Sequence, residues 1–236
     1  MLDIFLGEFL GLVVFVLVHG GILASMALTG KVKEGIAALA VFLGISFGVF
    51  AAIAGGSGAH INPAVTMAVF VSGGLDEVAN TLNSSSFVLT LIYIVSQILG
   101  GFVGGLILWV IYRPQFKAAT NPLAPLTGNP DQKDLTQNLI TSFLGSFLLA
   151  LLVLVTVTLT TGTNLTALAV GAAVLAAALA VGGTAYSVLN VARDLGPRLT
   201  ATVLKIGQPT WVPVLLLTLA SLAGGALAGF VVTLIG

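Results

Sequence analysis

One motif occurs twice in this chain, once in each half, and both copies follow a long apolar stretch. The first copy is Gly-Ala-His-Ile-Asn-Pro-Ala-Val-Thr at 58–66, and the second is Asn-Val-Ala-Arg-Asp-Leu-Gly-Pro-Arg at 190–198. Asn is a preferred helix N-cap and Pro is favoured at the first helical position. The apolar segments that begin at Asn62 and Asn190 are too short to cross a bilayer. The repeated motif therefore predicts two short helices that enter the membrane from opposite sides.

The composition is that of an integral membrane protein. Hydrophobic residues make up 58% of the 236 residues and charged residues only 7%, with a mean hydropathy of +1.15, which is too little polar surface for a water-soluble globule. A helix rises about 1.5 Å per residue, so about 20 residues cross the hydrocarbon core. Six stretches reach that length, at about 4–28, 35–54, 86–112, 135–160, 164–185 and 210–235.

Charge and cysteine content exclude several functions. Eight Lys and Arg balance eight Asp and Glu, so neither nucleic acid nor an anionic membrane surface is indicated as a partner. The absence of cysteine excludes disulfides, thiolate metal sites and a cysteine nucleophile. The sequence has no cluster of metal ligands, no phosphate-binding loop and no nucleophile with a nearby base. We therefore predict no enzyme activity, no metal and no cofactor.

The chain divides into two halves of three spans each. A polar, proline-containing loop at 113–134 separates a first repeat, 1–112, from a second repeat, 135–236, within a single transmembrane channel domain, 1–236. The sequence Phe-Leu-Gly at 9–11 in span 1 corresponds to Phe-Leu-Gly at 143–145 in span 4. We pair Gly100 and Gly104 of span 3 with Ala220 and Gly224 of span 6. Because three is odd, the second half must insert upside down. The predicted fold is all-α, with six transmembrane helices, two re-entrant half-helices and an inverted repeat.

Two helix starts that meet at mid-membrane have a chemical consequence. Their positive dipole ends, each equivalent to about half an elementary charge, point at the same place and repel cations. Each Asn side chain can also donate hydrogen bonds to a passing oxygen and so orient water or a hydroxyl group. The alternative is that Asn62 and Asn190 only cap their helices.

The paired motifs, the six spans and the two half-helices together resemble the aquaporin family, formally the major intrinsic proteins, over essentially the whole chain. Within that family, Asp194 directly after Arg193 and a basic residue at Arg198 resemble the glycerol-facilitator branch, as does Pro213 followed by a non-aromatic residue. The resemblance implies a passive channel of the plasma membrane that passes glycerol, water and other small uncharged solutes. It also implies a homotetramer embedded in the lipid bilayer, with ions and protons excluded.

The resemblance further implies a set of pore residues. The two motifs supply Asn62, Pro63, Ala64, Asn190, Val191 and Ala192. Counting from the two asparagines places a selectivity filter on Phe42, Ala178, Ser187 and Arg193. Water-specific members usually have histidine at the position of Ala178, so we expect a wider filter here. Two interpretations of Tyr186 stay open: its hydroxyl enters the pore, or it packs behind the filter.

Several residues support the predicted pore. Val191 stands where the family has proline, and we expect the half-helix to form with Asn190 still capping it. The resemblance implies that Glu8 accepts hydrogen bonds from the first re-entrant loop, and its counterpart Ser142 is a weaker acceptor, so Asp194 and its neighbours are a second candidate support. His60 is expected to line the cytoplasmic side of the pore, as a hydrogen-bonded residue or as a pH gate. We interpret His19, alone on an apolar span, as a buried core histidine.

The sequence is also compatible with other functions, and its charge distribution conflicts with the orientation of the family. A secondary transporter also uses inverted repeats with broken helices, and a closed structural membrane protein is a further alternative. Urea, ammonia, dihydroxyacetone and undissociated small acids are all compatible with Ala178 and Ser187. All eight Lys and Arg follow spans 1, 3 and 5, which the positive-inside rule assigns to the cytoplasm. The family instead keeps both termini inside, and we follow the family.

Overall fold

The computed structural model describes residues 1–127, 134–181 and 188–235. All the regular structure in these ranges is helical. The helices are α1 Leu2–Ala27, α2 Ala37–Ala54, α3 Pro63–Val71, α4 Asp76–Thr81, α5 Ser86–Ile111, α6 Arg113–Ala118, α7 Leu135–Thr160, α8 Thr166–Val181, α9 Val191–Val203 and α10 Val212–Ile235, with a 3₁₀ turn at Glu34–Ile36.

Six helices correspond to the six predicted spans. Five of them, α1, α2, α5, α7 and α10, have 18 to 26 residues and are apolar enough to cross a bilayer. The sixth, α8, has 16 described residues, and the last residues of the predicted span lie outside the described ranges. Large apolar side chains such as Leu91, Val95 and Leu99 point outward, which suits contact with lipid chains. Five predicted spans are thus helices long enough to cross a bilayer, and the described part of the sixth is also an apolar helix.

The two predicted half-helices are α3 and α9. They contain 9 and 13 residues, which gives lengths of about 14 and 20 Å, shorter than the hydrocarbon core. Each half-helix packs against the last span of the opposite half: α3 contacts α10, and α9 contacts α5. Within each half the first span packs on the second and third, α1 on α2 and α5, and α7 on α8 and α10. The two halves therefore pack in equivalent ways, each half-helix against the other half, as an inverted repeat requires.

Glycines in α5 and α10 let the half-helices approach closely. A Cβ atom on Gly101 would lie 2.6 Å from the carbonyl oxygen of Ala192, and one on Gly225 would collide with the carbonyl of Ala64. The same pattern corrects the repeat register. Gly100 and Gly224 both face the phenylalanine carbonyl of a Phe-Leu-Gly sequence, so Gly100 corresponds to Gly224. The pairing of Gly100 with Ala220 is wrong by about one helical turn, because small residues occupy both positions.

A bulky residue at Gly225 should disrupt this packing. We expect Gly225→Val to lower the free energy of unfolding in detergent by about 3 kcal/mol or more, because neither the α3 backbone nor the α10 backbone can move aside without loss of other contacts. The control is Ala223→Val on the exposed face of α10, which should stay within about 0.5 kcal/mol of wild type. Equal unfolding curves for the two variants would contradict the close approach of α3 and α10.

The basic residues flank one end of the bundle. Tyr112 Oη, just after α5, lies 2.8 Å from Ser25 Oγ near the end of α1, and Phe116 and Ile206 pack in one apolar cluster at the same end. Lysines and arginines that flank these segments therefore share that end. The positive-inside rule therefore assigns this end of the bundle to the cytoplasm, whereas the family orientation places it outside the cell.

Candidate functional site

Each half-helix begins at an asparagine N-cap, and the two asparagines make similar hydrogen bonds. Asn62 Oδ1 accepts a hydrogen bond from the backbone N–H of Ala64 at 3.0 Å, and Pro63 occupies the first helical turn. Asn190 Oδ1 accepts from the backbone N–H of Arg193 at 3.1 Å. Both asparagines have extended backbone conformations, as N-cap residues do. Each half-helix therefore starts at its motif asparagine.

The two asparagines also join the loops to each other. Asn62 Nδ2 donates to the carbonyl of Leu189 at 2.9 Å, and Asn190 Nδ2 donates to the carbonyl of Ile61 at 2.8 Å. An amide nitrogen carries two hydrogens, and in the described part of the chain the second hydrogen of each asparagine has no protein acceptor. Both side chains line the cavity described below. The junction thus offers two spare N–H donors to a solute.

The second half-helix forms without the proline of the first. Val191 occupies its first position and is 1% exposed, packed in a cluster with Val188 and Leu217. Apolar contacts of the buried Val191 side chain stabilise the first turn of α9, which proline would stabilise by fixing φ. The Ala192 carbonyl lies against Gly101, as the Ala64 carbonyl lies against Gly225.

A cavity of about 330 Å³ lies at this junction. Its lining combines polar side chains from α1, α9 and the two loop ends with apolar side chains from α1, α2, α7, α8 and the end of the second loop. The polar residues are His19, Asn62, Asn190, Arg193 and Asp194. The apolar residues are Phe15, Leu23, Val41, Ile45, Leu149, Val174, Ala178, Val188 and Leu189.

The structure brings together two of the four predicted filter residues. Ala178 and Arg193 both line the cavity. Phe42 is half-buried and does not; its carbonyl faces Gly171 of α8, and Val41 and Ile45 take the α2 positions on the wall. Successive residues of a helix point about 100° apart, so Val41 and Phe42 lie on different faces of α2. Ser187 and Tyr186 lie outside the described residues.

His19 is a cavity residue that the sequence did not identify. The Nε of Arg193 lies 3.3 Å from His19 Nδ1, and the imidazole lies 5.4 Å from the ring of Phe15, one turn earlier. His19 is buried and hydrogen-bonded, as expected of a core histidine, and it also lines the cavity beside Arg193. The available signal was a single polar residue in an apolar span, which does not indicate the face on which it lies.

Glu8 accepts four hydrogen bonds, three from the first re-entrant loop and one from α5. Its Oε1 accepts from Ser57 Oγ at 2.8 Å and from the His60 backbone N–H at 2.9 Å. Its Oε2 accepts from the Ile61 backbone N–H and from Gln97 Nε2, both at 2.7 Å. The carboxylate is fully buried, and four donors are what a buried carboxylate requires. Gln97, which also donates to Thr66, is a support that the sequence analysis missed.

Two serines of α7 contact Val188, at the described end of the second loop. Ser142 Oγ, the counterpart of Glu8, accepts one hydrogen bond from the Val188 backbone N–H at 3.0 Å. Ser146 Oγ donates to the Val188 carbonyl at 3.3 Å and lies 2.8 Å from Ser221 Oγ. Val188, at the described end of the second loop, therefore contacts hydroxyl groups, whereas His60 and Ile61 of the first loop contact a carboxylate.

Asp194 and Arg198 form a buried ion pair one turn apart on α9. Arg198 Nε lies 3.0 Å from Asp194 Oδ1, and the arginine is fully buried. Its Nη1 donates to the Thr210 carbonyl at 2.8 Å and its Nη2 to Thr127 Oγ1 at 2.7 Å. Thr127 Oγ1 in turn donates to Asp194 Oδ2 at 2.8 Å. The pair thus ties α9 to the segments that precede α7 and α10.

His60 is positioned by contacts on both sides. Its Nδ1 lies 3.3 Å from Thr66 Oγ1, and its ring stacks on Tyr93 with centroids 4.1 Å apart. It is half-buried and is not part of the cavity wall near Arg193. These contacts are those of a hydrogen-bonded histidine in the loop before α3.

Comparison with known proteins places this geometry in a family. Residues 1–232 match the family described as Major intrinsic protein. The glycerol uptake facilitator protein of Streptococcus pneumoniae strain R6 is 32% identical over 247 aligned residues, which cover 99% of this chain and 100% of that protein. The glycerol uptake facilitator protein 3 of Lactiplantibacillus plantarum is 31% identical, over 94% of this chain and 92% of that protein.

Two further matches widen the comparison. The D/L-lactic acid transporter of Lactiplantibacillus plantarum is 25% identical over 86% of this chain and 83% of that protein. The solved structure of the aquaglyceroporin from Plasmodium falciparum superposes with a TM-score of 0.83 at 23% identity, covering 99% of this chain and 96% of that one. At that identity the superposition establishes the fold alone.

Proposed function

The chain belongs to the major intrinsic protein family, and from this premise we propose that it is a passive channel for glycerol and other small uncharged solutes, and also for water. It is a multi-pass protein of the cell membrane, and its relatives are channels and transporters. The proposal takes glycerol as the first solute because the relatives of similar full length at about 30% identity are glycerol uptake facilitators.

The observation that carries the proposal is the cavity lined by both polar and apolar side chains. Glycerol has a carbon backbone on one side and three hydroxyls on the other, so it can lie with its carbons against an aliphatic wall and its oxygens toward donors. Asn62 and Asn190, each with a spare N–H group, line the cavity together with Arg193. Hydroxyls that leave water can therefore exchange one set of hydrogen bonds for another.

The same geometry supports the exclusion of ions. The N-terminal ends of α3 and α9 face each other across the junction, and their dipoles make it unfavourable for a cation. Arg193 adds a fixed positive charge. The negative charge of Asp194 does not offset this effect, because it is paired with Arg198.

The organisation of the chain is a further part of the proposal. Residues 1–112 and 135–236 are the two inverted repeats, joined by the connection 113–134, and 1–236 forms one channel domain. Four copies assemble in the membrane with both termini in the cytoplasm, as the family resemblance implies, and each copy has its own pore. By resemblance, the proposed constriction is formed by Phe42, Ala178, Ser187 and Arg193, with Tyr186 beside it.

The nearest rival within the family is a channel for undissociated small acids, which the match to a lactic acid transporter favours. A small hydroxy acid also presents one carbon face and several oxygens. A rival outside the channel class is a gradient-coupled transporter. Among the described residues of the spans, Glu8 is a buried carboxylate that could exchange a proton, but its four donors, three in the loop and one on α5, hold it in place.

Solute uptake into proteoliposomes separates these rivals. We expect the initial rate of glycerol uptake to rise in proportion to glycerol concentration over at least two decades, with no dependence on a proton or sodium gradient, because a channel has no rate-limiting conformational cycle. Lactic acid at low pH and urea are measured beside it. Saturation together with a gradient requirement would establish a transporter, and lactic acid uptake without glycerol uptake would establish the acid channel.

A further inference from the structure

The charged residues are distributed unevenly between the two ends of the bundle, although the net charge of the chain is zero. At the end where α1 begins, the charged side chains in the described ranges are acidic: Asp3, Asp76 and Glu77. At the opposite end, which we call the basic end, five described cations stand against two acids. The cations are Lys31, Lys33, Arg113, Lys117 and Lys205, and the acids are Glu34 and Asp134. The basic end therefore presents a positive surface to the membrane leaflet beside it.

Two of these cations, Arg113 and Lys117, form an exposed pair one turn apart on α6. The guanidinium carbon of Arg113 lies 5.0 Å from the centroid of the Trp109 ring, near the end of α5. A cation is attracted by the negative face of a tryptophan ring, so the guanidinium is held at the level of Trp109. Within the described part of the chain, neither Arg113 nor Lys117 forms an ion pair. No carboxylate there neutralises their charges.

The surface beside the pair changes from charged to apolar along α5. Ile107, Val110 and Ile111 are 38%, 65% and 60% exposed, and α6 begins at Arg113, two residues after α5 ends. Trp109 is half-buried against the apolar cluster of the basic end. Tryptophan is enriched where the hydrocarbon core meets the lipid headgroups, and cations beside the end of a span also reach that level. Cations and an exposed apolar surface thus adjoin each other at the level of the headgroups.

We propose that Arg113 and Lys117 bind the headgroup of an anionic phospholipid in the leaflet at the basic end, beside Trp109. The planar guanidinium of Arg113 can donate two parallel hydrogen bonds to a phosphate group, and Lys117 adds a second positive charge. The acyl chains then follow Ile107 and Val110 on α5. A zwitterionic lipid binds less strongly, because its own ammonium group offsets the charge of the phosphate. This inference does not depend on which solute the protein conducts.

Quenching of tryptophan fluorescence by brominated phospholipids tests the proposal. The chain has two tryptophans, so Trp211→Phe leaves Trp109 as the sole tryptophan of the full-length protein. This variant is placed in bilayers of phosphatidylcholine and phosphatidylglycerol in which one lipid or the other carries bromine on its acyl chains. At equal mole fractions we expect phosphatidylglycerol to bind beside Trp109 about fivefold more strongly than phosphatidylcholine, roughly what one well-placed cation contributes near an anionic lipid.

Two double variants that remove the same charge locate the effect. Arg113→Gln with Lys117→Gln should abolish the preference for phosphatidylglycerol, because both headgroup ligands lose their charge. Lys31→Gln with Lys33→Gln removes two charges from the segment after α1 and should leave most of the preference. Each preference compares two lipids around the same protein, so a difference in the amount of folded protein does not alter it.

The outcomes either support the proposal or overturn it. An unchanged preference after Arg113 and Lys117 are replaced overturns it. An equal loss in the two double variants also overturns it, because the attraction would then come from the charge of the whole basic end. A lack of quenching by either lipid would show that Trp109 does not adjoin the acyl chains, which is a third contrary result. No solute crosses a membrane in this measurement, so its result is separate from the test of the channel function.

Discussion

Replacing Glu8 by alanine should lower the free energy of unfolding by about 4 kcal/mol or more and abolish solute flux. The substitution removes the acceptor of four donors, Ser57 Oγ, the backbone N–H groups of His60 and Ile61, and Gln97 Nε2. Each buried donor left without an acceptor costs about 1–3 kcal/mol. Because those donors define the loop before Asn62, the cap of α3 should shift as well.

The glutamine variant separates the charge of Glu8 from its shape. Glu8→Gln keeps one accepting oxygen but turns the other into an N–H₂ group that faces donors, so we expect a loss about half as large as that of alanine. Glu77→Ala, an exposed carboxylate on α4, is the control and should stay within about 0.5 kcal/mol of wild type. Unfolding by dodecyl sulfate, followed by circular dichroism, measures all three. A wild-type unfolding curve for Glu8→Ala would contradict the assignment of Glu8 as the loop anchor.

Arg198→Met should destabilise the protein by about 3–5 kcal/mol, the typical loss when one partner of a buried ion pair is removed. The guanidinium holds Asp194, the Thr127 hydroxyl and the Thr210 carbonyl in one network, and methionine fills the space without any donor. The order of helix α9 near Arg193 depends on this network, so glycerol flux per folded molecule should also fall. Unfolding curves and flux measured on the same preparation test both expectations.

A double variant tests whether the pair acts through charge. Replacing both members, Asp194→Leu with Arg198→Met, removes the uncompensated carboxylate, so we expect at least half of the lost stability to return. Lys205→Met, an exposed lysine just after α9, should stay within about 0.5 kcal/mol of wild type. A double variant that is less stable than Arg198→Met would show that Arg198 and Asp194 stabilise α9 through separate contacts.

The features of the fold that depend on local sequence were predictable. Apolar length determines the six spans, and an asparagine before a proline or valine determines where α3 and α9 begin. The odd number of spans in each half determines the inversion. The roles of Glu8 as a loop anchor and of Arg193 as a cavity residue came from resemblance to a family, and the structure gives both residues the corresponding contacts.

The parts that depend on which face of a helix meets which neighbour were not predictable. Val41 lines the cavity and Phe42 does not, a difference of one residue that the apolar sequence of α2 cannot distinguish. His19 and Gln97 lie in nearly uniform apolar spans, so no periodic pattern indicates that they face Arg193 and Glu8. The register of Gly100 with Gly224 was likewise hidden, because small residues recur every fourth position in α10.

The most direct test of the central claim is the flux of glycerol beside that of potassium through the same purified protein. Liposomes that contain it are exposed to a glycerol gradient in a stopped-flow instrument, and to a potassium gradient with a potential-sensitive dye. If glycerol passes through the junction of Asn62 and Asn190, we expect a glycerol permeability at least tenfold above that of empty liposomes. The potassium permeability should equal that of empty liposomes. Glycerol uptake at the rate of empty liposomes, or a potassium current that accompanies it, would contradict the account.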